Sequence, residues 1–88
     1  MNAPERTFLL KRALIQSLAD CGSYPVREES LRDQATLKVD FLQPTTAELD
    51  AALRTIDTER LTVALPTERG RKLQLTDAGR LWLAANAT

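Results

Sequence analysis

The segment that constrains the fold most begins at Leu61 and reads LTVALPTERGRKLQLTDAGRLWLAA. It holds two short runs of alternating apolar residues, separated by a basic loop that carries a glycine. Leu61, Val63 and Leu65 fall on one face of the first run, because side chains alternate along a strand. Leu73 and Leu75 repeat this period after the loop. We therefore predict a β-hairpin in this segment.

A C-terminal helix is predicted directly after the hairpin. The hydroxyl of Thr76 can cap its free amides, and Asp77 complements the positive end of its dipole. Gly79 in the first turn costs up to ~1 kcal/mol relative to alanine in a helix interior. We expect this glycine to allow a close backbone approach to the hairpin. The predicted apolar face comprises Ala78, Leu81, Trp82 and Ala85.

The first helix is predicted from about Glu5 to Asp20, with Pro4 at or just before its first turn. Its apolar stripe recurs every fourth residue and consists of Leu10, Leu14 and Leu18. Gly22 is a natural C-terminal cap. The connector Ser23–Val26 should be extended, because the residue before a proline is pushed away from the helical region.

Two more helices are predicted between this connector and the hairpin. The second runs from about Glu28 to Lys38, with Leu31, Ala35 and Val39 on one face. The third opens on a capping box formed by Thr45 and Glu48, and it stops near Asp57. Its buried stripe, at helical spacing, consists of Leu49, Ala52, Leu53 and Ile56.

The size and composition are those of a single globular domain spanning residues 1–88, with 43% hydrophobic and 27% charged residues. A homodimer would add burial to so small a chain. The N-terminal residues lack the features of a signal peptide, and no apolar run approaches the ~20 residues needed to span a bilayer. We therefore expect a cytoplasmic protein.

The formal net charge is zero, which argues against a non-specific polycation. The charge is nevertheless uneven along the chain. Residues 59–75 carry four basic and two acidic side chains, a net of +2, whereas residues 44–58 carry one basic and three acidic side chains, a net of −2. The predicted hairpin is thus basic, and the third helix is acidic.

The predicted order, α-β-α-α-β-β-α, and the run LTDAGR at residues 75–80 resemble bacterial winged helix-turn-helix proteins. Small regulators of the multiple-antibiotic-resistance, phenolic-acid and arsenical-repressor types share this layout, and short phage winged-helix proteins are loosely similar. The resemblance implies an α+β fold with a three-helix core that includes a helix-turn-helix, a hairpin wing and a C-terminal helix. It also implies binding to double-stranded DNA and a role in transcription regulation.

The third helix would then be the recognition helix, whose N-terminal residues contact base edges. Its buried stripe places Ala47, Ala51 and Arg54 at the centre of the outward face. In this interpretation Arg54 reads guanine, and the alanines contact thymine methyl groups. Thr45 or Thr46 would contact phosphate. The same residue types also form ordinary exposed helix surface, so this interpretation stays open.

The predicted wing loop carries Arg69, Gly70, Arg71 and Lys72. Mobile basic side chains at a hairpin tip can follow a minor groove or the phosphate backbone. A solvated turn is the alternative, because charged loops are common on protein surfaces. The basic loop is therefore the second candidate DNA contact.

A protein partner is the competing functional prediction, because winged helices also serve as protein-interaction modules. The Ala47/Ala51 face of the third helix is nearly uncharged at its centre and would let another helix approach closely. The low net charge and the acidic third helix favour this alternative.

Catalysis is not expected, because the chain has no histidine, the commonest general acid/base and metal ligand. The single Cys21 has no partner for a disulfide or zinc site and is predicted to be a buried structural residue. No metal, cofactor or small-molecule effector site is evident. Tyr24 and Phe41 are expected to pack in the interior. The candidate dimer interface consists of Leu81, Trp82 and Ala85 on the C-terminal helix.

Overall fold

The computed structural model describes residues 1–87, which form an α+β arrangement of four α-helices and one three-stranded antiparallel sheet. The helices are α1 (Ala3–Asp20), α2 (Glu28–Lys38), α3 (Thr46–Thr58) and α4 (Asp77–Asn86). The strands are β1 (Val26–Arg27), β2 (Thr62–Thr67) and β3 (Gly70–Leu75), and a short 3-10 turn spans Asp40–Leu42. The predicted element order is confirmed. It is compatible with a winged helix.

Helix α1 begins two residues earlier than predicted because Asn2 caps it. The Asn2 side-chain oxygen accepts a hydrogen bond from the Glu5 amide at 2.9 Å. The predicted stripe is confirmed, since Leu10, Leu14 and Leu18 are buried together with Ile15. Gly22 follows the helix with φ +67°, as a left-handed C-terminal cap requires.

Helix α3 has the predicted capping box. The Thr45 hydroxyl accepts from the Glu48 amide at 3.1 Å, and the Thr45 amide donates to the Glu48 carboxylate at 3.1 Å. Its predicted stripe is buried in the core, and so is the predicted face of α2. The buried side chains are Leu49, Ala52, Leu53 and Ile56 on α3, and Leu31, Ala35 and Val39 at α2.

The sheet has the strand order β1-β3-β2, with β3 in the centre. Leu73 lies opposite Val26 on one side and Ala64 on the other, and Leu75 lies opposite Thr62. Directly opposed residues share a face of the sheet, so these side chains form its core-facing side. Leu73 and Leu75 are buried there, as the alternation predicts.

The prediction that Leu61, Val63 and Leu65 share one face of the first hairpin strand is confirmed only for Val63 and Leu65. Val63 and Leu65 lie opposite Gln74 and Lys72, on the face that points away from the core, and they are 43% and 38% exposed. Leu61 is buried, but it precedes β2 and belongs to the turn after α3, where its amide donates to the Ile56 carbonyl. The turn shifts the phase, so Thr62 rather than Val63 is buried.

The start of α4 is hydrogen-bonded to the residues that precede β2. The Thr76 hydroxyl accepts from the Gly79 amide at 3.0 Å and donates to the Arg60 carbonyl at 2.7 Å. A Cβ atom on Gly79 would lie 2.2 Å from the Leu61 carbonyl oxygen. The predicted close backbone approach at this glycine is therefore confirmed.

The predicted apolar face of α4 is only partly correct. Leu81 is 72% exposed, Ala78 and Ala85 are also exposed, and Trp82 is half-buried. The contact of Gly79 with Leu61 and the packing of Trp82 against α1 fix the rotation of the helix, so Ala78, Leu81 and Ala85 face outward. The inward side instead carries Gly79, Trp82, Leu83 and Asn86.

Two aromatic residues expected in the interior lie at the surface. Tyr24 is 78% exposed and Phe41 is 69% exposed, each in a connection between elements. Within residues 1–87, none of the helices combines the length and the apolar character needed to cross a membrane.

Candidate functional site

The outer face of α3 presents every side chain predicted for it. Thr45, Thr46, Ala47, Ala51 and Arg54 are all exposed. The opposite side of the helix is buried in the core, so the orientation deduced from helical spacing is confirmed. The candidate recognition surface is thus accessible.

The first acidic residue of α3 is bound by an arginine of α1. Arg6 donates through Nε to Glu48 Oε2 at 2.8 Å and through Nη2 to Glu48 Oε1 at 2.9 Å. The same Nη2 also donates to the Leu42 carbonyl at 2.9 Å. Together with the Thr45 amide, these contacts lower the pKa of Glu48 to about 2. Glu48 is therefore a paired carboxylate directed towards α1.

The second acidic residue of α3 is paired with α2, at the start of a chain of ion pairs. Asp50 accepts from Arg32. Arg32 lies 3.6 Å from Glu28 one turn earlier on α2, at a spacing of i and i+4. Glu28 in turn accepts from Arg71 Nε at 3.1 Å and from Arg71 Nη2 at 3.2 Å. This chain ties the hairpin to α2 and α3.

The Arg71–Glu28 contact is a two-pronged guanidinium–carboxylate pair, the geometry that favours arginine over lysine. The hydrogen bond from Arg71 lowers the pKa of Glu28. Reciprocally, the hydrogen bond to Glu28 raises the pKa of Arg71, and nearby Asp57 of α3 raises it further. Arg71 therefore interacts with carboxylates of this same chain.

The expectation that Arg69, Gly70, Arg71 and Lys72 all lie in the hairpin loop is wrong. Strand β3 begins at Gly70, and its ladder with β2 includes Thr67 opposite Gly70, Pro66 opposite Arg71 and Leu65 opposite Lys72. The turn consists of Glu68 and Arg69 alone. Because Arg71 and Lys72 lie in the strand, alternation sends them to opposite faces of the sheet.

Several basic side chains remain outside these ion pairs. Arg54 on α3 and Arg69 in the hairpin turn are exposed, and Lys72 is half-buried. Within residues 1–87, the arginines and lysines that take part in no salt bridge are Arg12, Arg27, Arg54, Arg60, Arg69, Lys72 and Arg80.

Sequence reasoning missed Arg6, Arg27 and Arg32. The spacing of Glu28 and Arg32 is a local signal that could have identified one pair. Arg6 and Glu48 are 42 residues apart, and no local pattern connects them. Arg27 stands directly opposite Lys72 in the β1–β3 pairing, which depends on the register of two strands far apart in the sequence.

The candidate dimer residues do not all have the same environment. Leu81 and Ala85 are exposed on α4. Trp82 packs against α1, with its ring 5.9 Å from that of Phe8 and 4.7 Å from Lys11 Nζ. Leu81 and Ala85 are thus accessible to a second chain, and Trp82 already has intramolecular partners.

Cys21 is half-buried at the C-terminal end of α1 and packs against the edge of the core. The prediction of a buried cysteine is therefore only partly correct. In the part of the chain that the structure describes, no three His, Cys, Asp or Glu side chains are grouped so that they could hold a metal ion.

Comparison with known proteins finds no matching family model, no matching curated protein and no matching solved structure.

Proposed function

We propose that this chain is a cytoplasmic winged-helix protein that binds double-stranded DNA and acts in transcription regulation. In this proposal α2 and α3 are the helix-turn-helix, the β2–β3 hairpin is the wing, and α4 is the C-terminal helix. The observed element order and the antiparallel pairing of β1 with β3 support this assignment. The role is one of binding, with no catalytic step.

The observation that carries the proposal is the pairing of both acidic side chains in the N-terminal half of α3. Glu48 is bound by Arg6 and Asp50 by Arg32, so neither is a free negative charge facing phosphates. Arg54 is exposed and has no salt-bridge partner among residues 1–87. The acidic composition of this helix therefore does not oppose DNA binding as strongly as its sequence implies.

In the bound state, Arg54 would donate to guanine in the major groove, with the small side chains of Ala47 and Ala51 against thymine methyl groups. Thr45 and Thr46 at the start of α3 would contact phosphate. Arg69 and Lys72 of the hairpin would add further phosphate contacts, and Gly70 allows the backbone to approach closely. Arg71 instead fixes the hairpin through Glu28.

The test is selection of a binding sequence from a random duplex library, followed by fluorescence anisotropy with variants. R54A should weaken binding to the selected duplex by about 1–3 kcal/mol, the typical contribution of a bidentate base contact. R80A is the matched control, because Arg80 is an exposed arginine on α4. The proposal fails if no duplex is enriched, or if R54A and R80A bind the selected duplex equally well.

A protein-interaction module is the second candidate function. The arginines of α2 and the hairpin near α3 are already balanced by carboxylates. Arg32 is paired with Asp50 and Arg71 with Glu28, and Asp57 of α3 further raises the pKa of Arg71. A balanced face around exposed alanines suits another protein helix better than a polyanion.

Opposite charges placed at one position distinguish the two functions. If α3 binds DNA, A51E should weaken binding more than A51R, because both lose the contact with the thymine methyl group but only the glutamate also repels phosphate. If α3 binds a protein helix through its small residues, both substitutions should abolish the complex by bulk. Equal loss with A51E and A51R therefore refutes DNA binding through this face.

We further propose that the chain forms a homodimer through the exposed side of α4, centred on Leu81 and Ala85. A largely exposed leucine flanked by exposed alanines gives a smooth surface for a second copy of the same helix. Dimerisation would double the phosphate contacts and strengthen a binding surface that is small in one chain.

A further inference from the structure

Two unpaired cations face each other across the sheet. Arg27 on β1 lies directly opposite Lys72 on β3. The preceding pair, Val26 and Leu73, is buried in the core, so alternation places Arg27 and Lys72 on the outer face. Neither side chain takes part in a salt bridge within residues 1–87. Like charges at directly opposed positions destabilise an antiparallel pair, so this arrangement costs folding stability.

A third cation completes the group. Arg69 in the hairpin turn lines a surface depression of about 380 Å³ together with Arg27 and Lys72. Thr67 and Glu68 complete its walls, so three positive charges stand against one carboxylate and the local net charge is +2.

The carboxylates of α2 adjoin this group. Glu28 and Glu29 line a neighbouring depression of about 170 Å³ together with Arg27, Arg69 and Arg71. Glu28 is already hydrogen-bonded to Arg71. The two depressions together hold four cations and three carboxylates, a net charge of +1, and Lys72 lines only the outer one.

We propose that Arg27, Arg69 and Lys72 form a binding site for a phosphate group, which we term the phosphate cradle. Arginine presents a planar fork of donors that matches phosphate oxygens, and lysine adds a compact point charge. A bound phosphate would also offset the repulsion between Arg27 and Lys72. The free site is thus strained by like charge, and ligand binding removes that strain.

The phosphate can come from a nucleic-acid backbone or from a free phosphate compound. The first source rests on the proposed DNA-binding function, whereas the second does not. The cradle also extends the predicted hairpin contact, because it includes Arg27 from β1 and excludes Arg71, whose partner is Glu28.

The experiment follows side-chain NMR resonances of the three residues at constant ionic strength. Inorganic phosphate and a short mixed-sequence DNA duplex are added in separate titrations. We expect phosphate to shift the three sets of resonances and R27Q/K72Q to lose the response. If the duplex shifts the same resonances, the source is a nucleic-acid backbone. A response to phosphate alone identifies the free-phosphate source.

The double variant should also reduce the dependence of DNA binding on salt. Each lost phosphate contact lowers the slope of log affinity against log salt by about 0.9. R80Q is the control, because it removes one exposed arginine on α4 and should leave both the phosphate response and the slope unchanged.

K72E tests the like-charge premise without depending on a loss of folding. It converts the opposed pair into an attractive one, so the thermal midpoint should rise while the phosphate response disappears. The cradle is overturned if neither phosphate nor the duplex shifts the resonances, or if K72E lowers the midpoint. The R54A measurement tests α3 separately, so failure of the cradle and failure of the proposed function remain distinguishable.

Discussion

Gly79 in the first turn of α4 lies directly against the carbonyl oxygen of Leu61, the residue that precedes β2. A Cβ atom built on Gly79 would stand 2.2 Å from that oxygen and 2.8 Å from a methyl carbon of Leu75. Since the nearest atom belongs to the backbone, it cannot move aside as a flexible side chain could. The position therefore requires glycine for space.

We predict that G79A destabilises the protein even though alanine is the better helix former. Helix propensity alone would favour the substitution by ~1 kcal/mol. The clash reverses this preference and should cost about 1–3 kcal/mol, the usual range for overpacking. Urea unfolding followed by circular dichroism measures the difference. A84G on the exposed side of α4 is the control for propensity, and unchanged or increased stability of G79A would contradict the close contact.

The second prediction concerns acid stability and the Arg6–Glu48 pair. The pKa of Glu48 is about 2, against 4.5 for the ordinary carboxyl, because Arg6 and the Thr45 amide bind the ionised form. The stabilisation is therefore complete above pH 4.5, the unfolded value, and is lost as the pH falls towards 2. Asp20, paired with Lys38, and Glu28, paired with Arg71, have lowered pKa values too and add to the same acid dependence.

E48Q should make the unfolding free energy fall less steeply as the pH is lowered. The slope against pH should decrease by the equivalent of up to about one bound proton. The measurement is a series of urea unfolding curves from neutral to acid pH. E68Q provides the control, since Glu68 is exposed in the hairpin turn and forms no salt bridge within residues 1–87. If E48Q retains the acid dependence of the natural protein, the pair does not stabilise the fold in this way.

The residues that sequence analysis placed correctly are those governed by local rules. The capping box of α3 needs only Thr45 and Glu48 at the right spacing, and both of its hydrogen bonds are present. The buried stripe of α3 has apolar residues on one side only, so its orientation is unambiguous. The exposed candidates Ala51 and Arg54 follow from that orientation.

The predictions that are wrong concern elements whose sequence pattern fits two orientations. A contact with a residue distant in the sequence selects one of them. α4 carries apolar residues around much of its circumference, and the contacts of Gly79 with Leu61 and of Trp82 with α1 leave Leu81 facing outward. In β2, the alternation fits either face, and the turn at Leu61 sets the phase. The pairing of Glu48 with Arg6 likewise depends on how α1 and α3 pack.

The third prediction tests the link between the hairpin and α2. E28Q removes the ion pair between Glu28 and Arg71. The Arg71 side chain then becomes available to an anionic ligand. The pair is partly exposed, so its loss should cost no more than about 1 kcal/mol of stability. If the chain binds DNA, affinity should rise, and the slope of log affinity against log salt should steepen by up to about 1.

E29Q is the matched control for E28Q. Glu29 is the neighbouring glutamate on α2, it is exposed, and it forms no salt bridge within residues 1–87. The two variants have the same net charge, so any difference between them reports the contacts of Glu28 with Arg71 and Arg32. Hydrogen exchange of the β3 amides should accelerate in E28Q alone. Identical binding and exchange in both variants would show that Glu28 does not restrain the hairpin.

The last prediction tests the proposed homodimer. Leu81 is 72% exposed at the centre of the outward side of α4. A charge placed there would be buried against its own copy across a two-fold interface, because such an interface brings equivalent surfaces together. L81E should therefore shift the protein to monomer in sedimentation equilibrium. Its folding stability should change by no more than about 0.5 kcal/mol, as is usual for exposed positions.

L37E is a close control for L81E, since Leu37 near the end of α2 is 77% exposed and receives the same change of side chain. Its weight-average mass should equal that of the natural protein at each concentration. Dimerisation through α4 is refuted if the natural protein sediments as a monomer throughout, or if L81E and L37E associate equally. A loss of association in L37E alone would place the interface at the end of α2, away from the C-terminal helix.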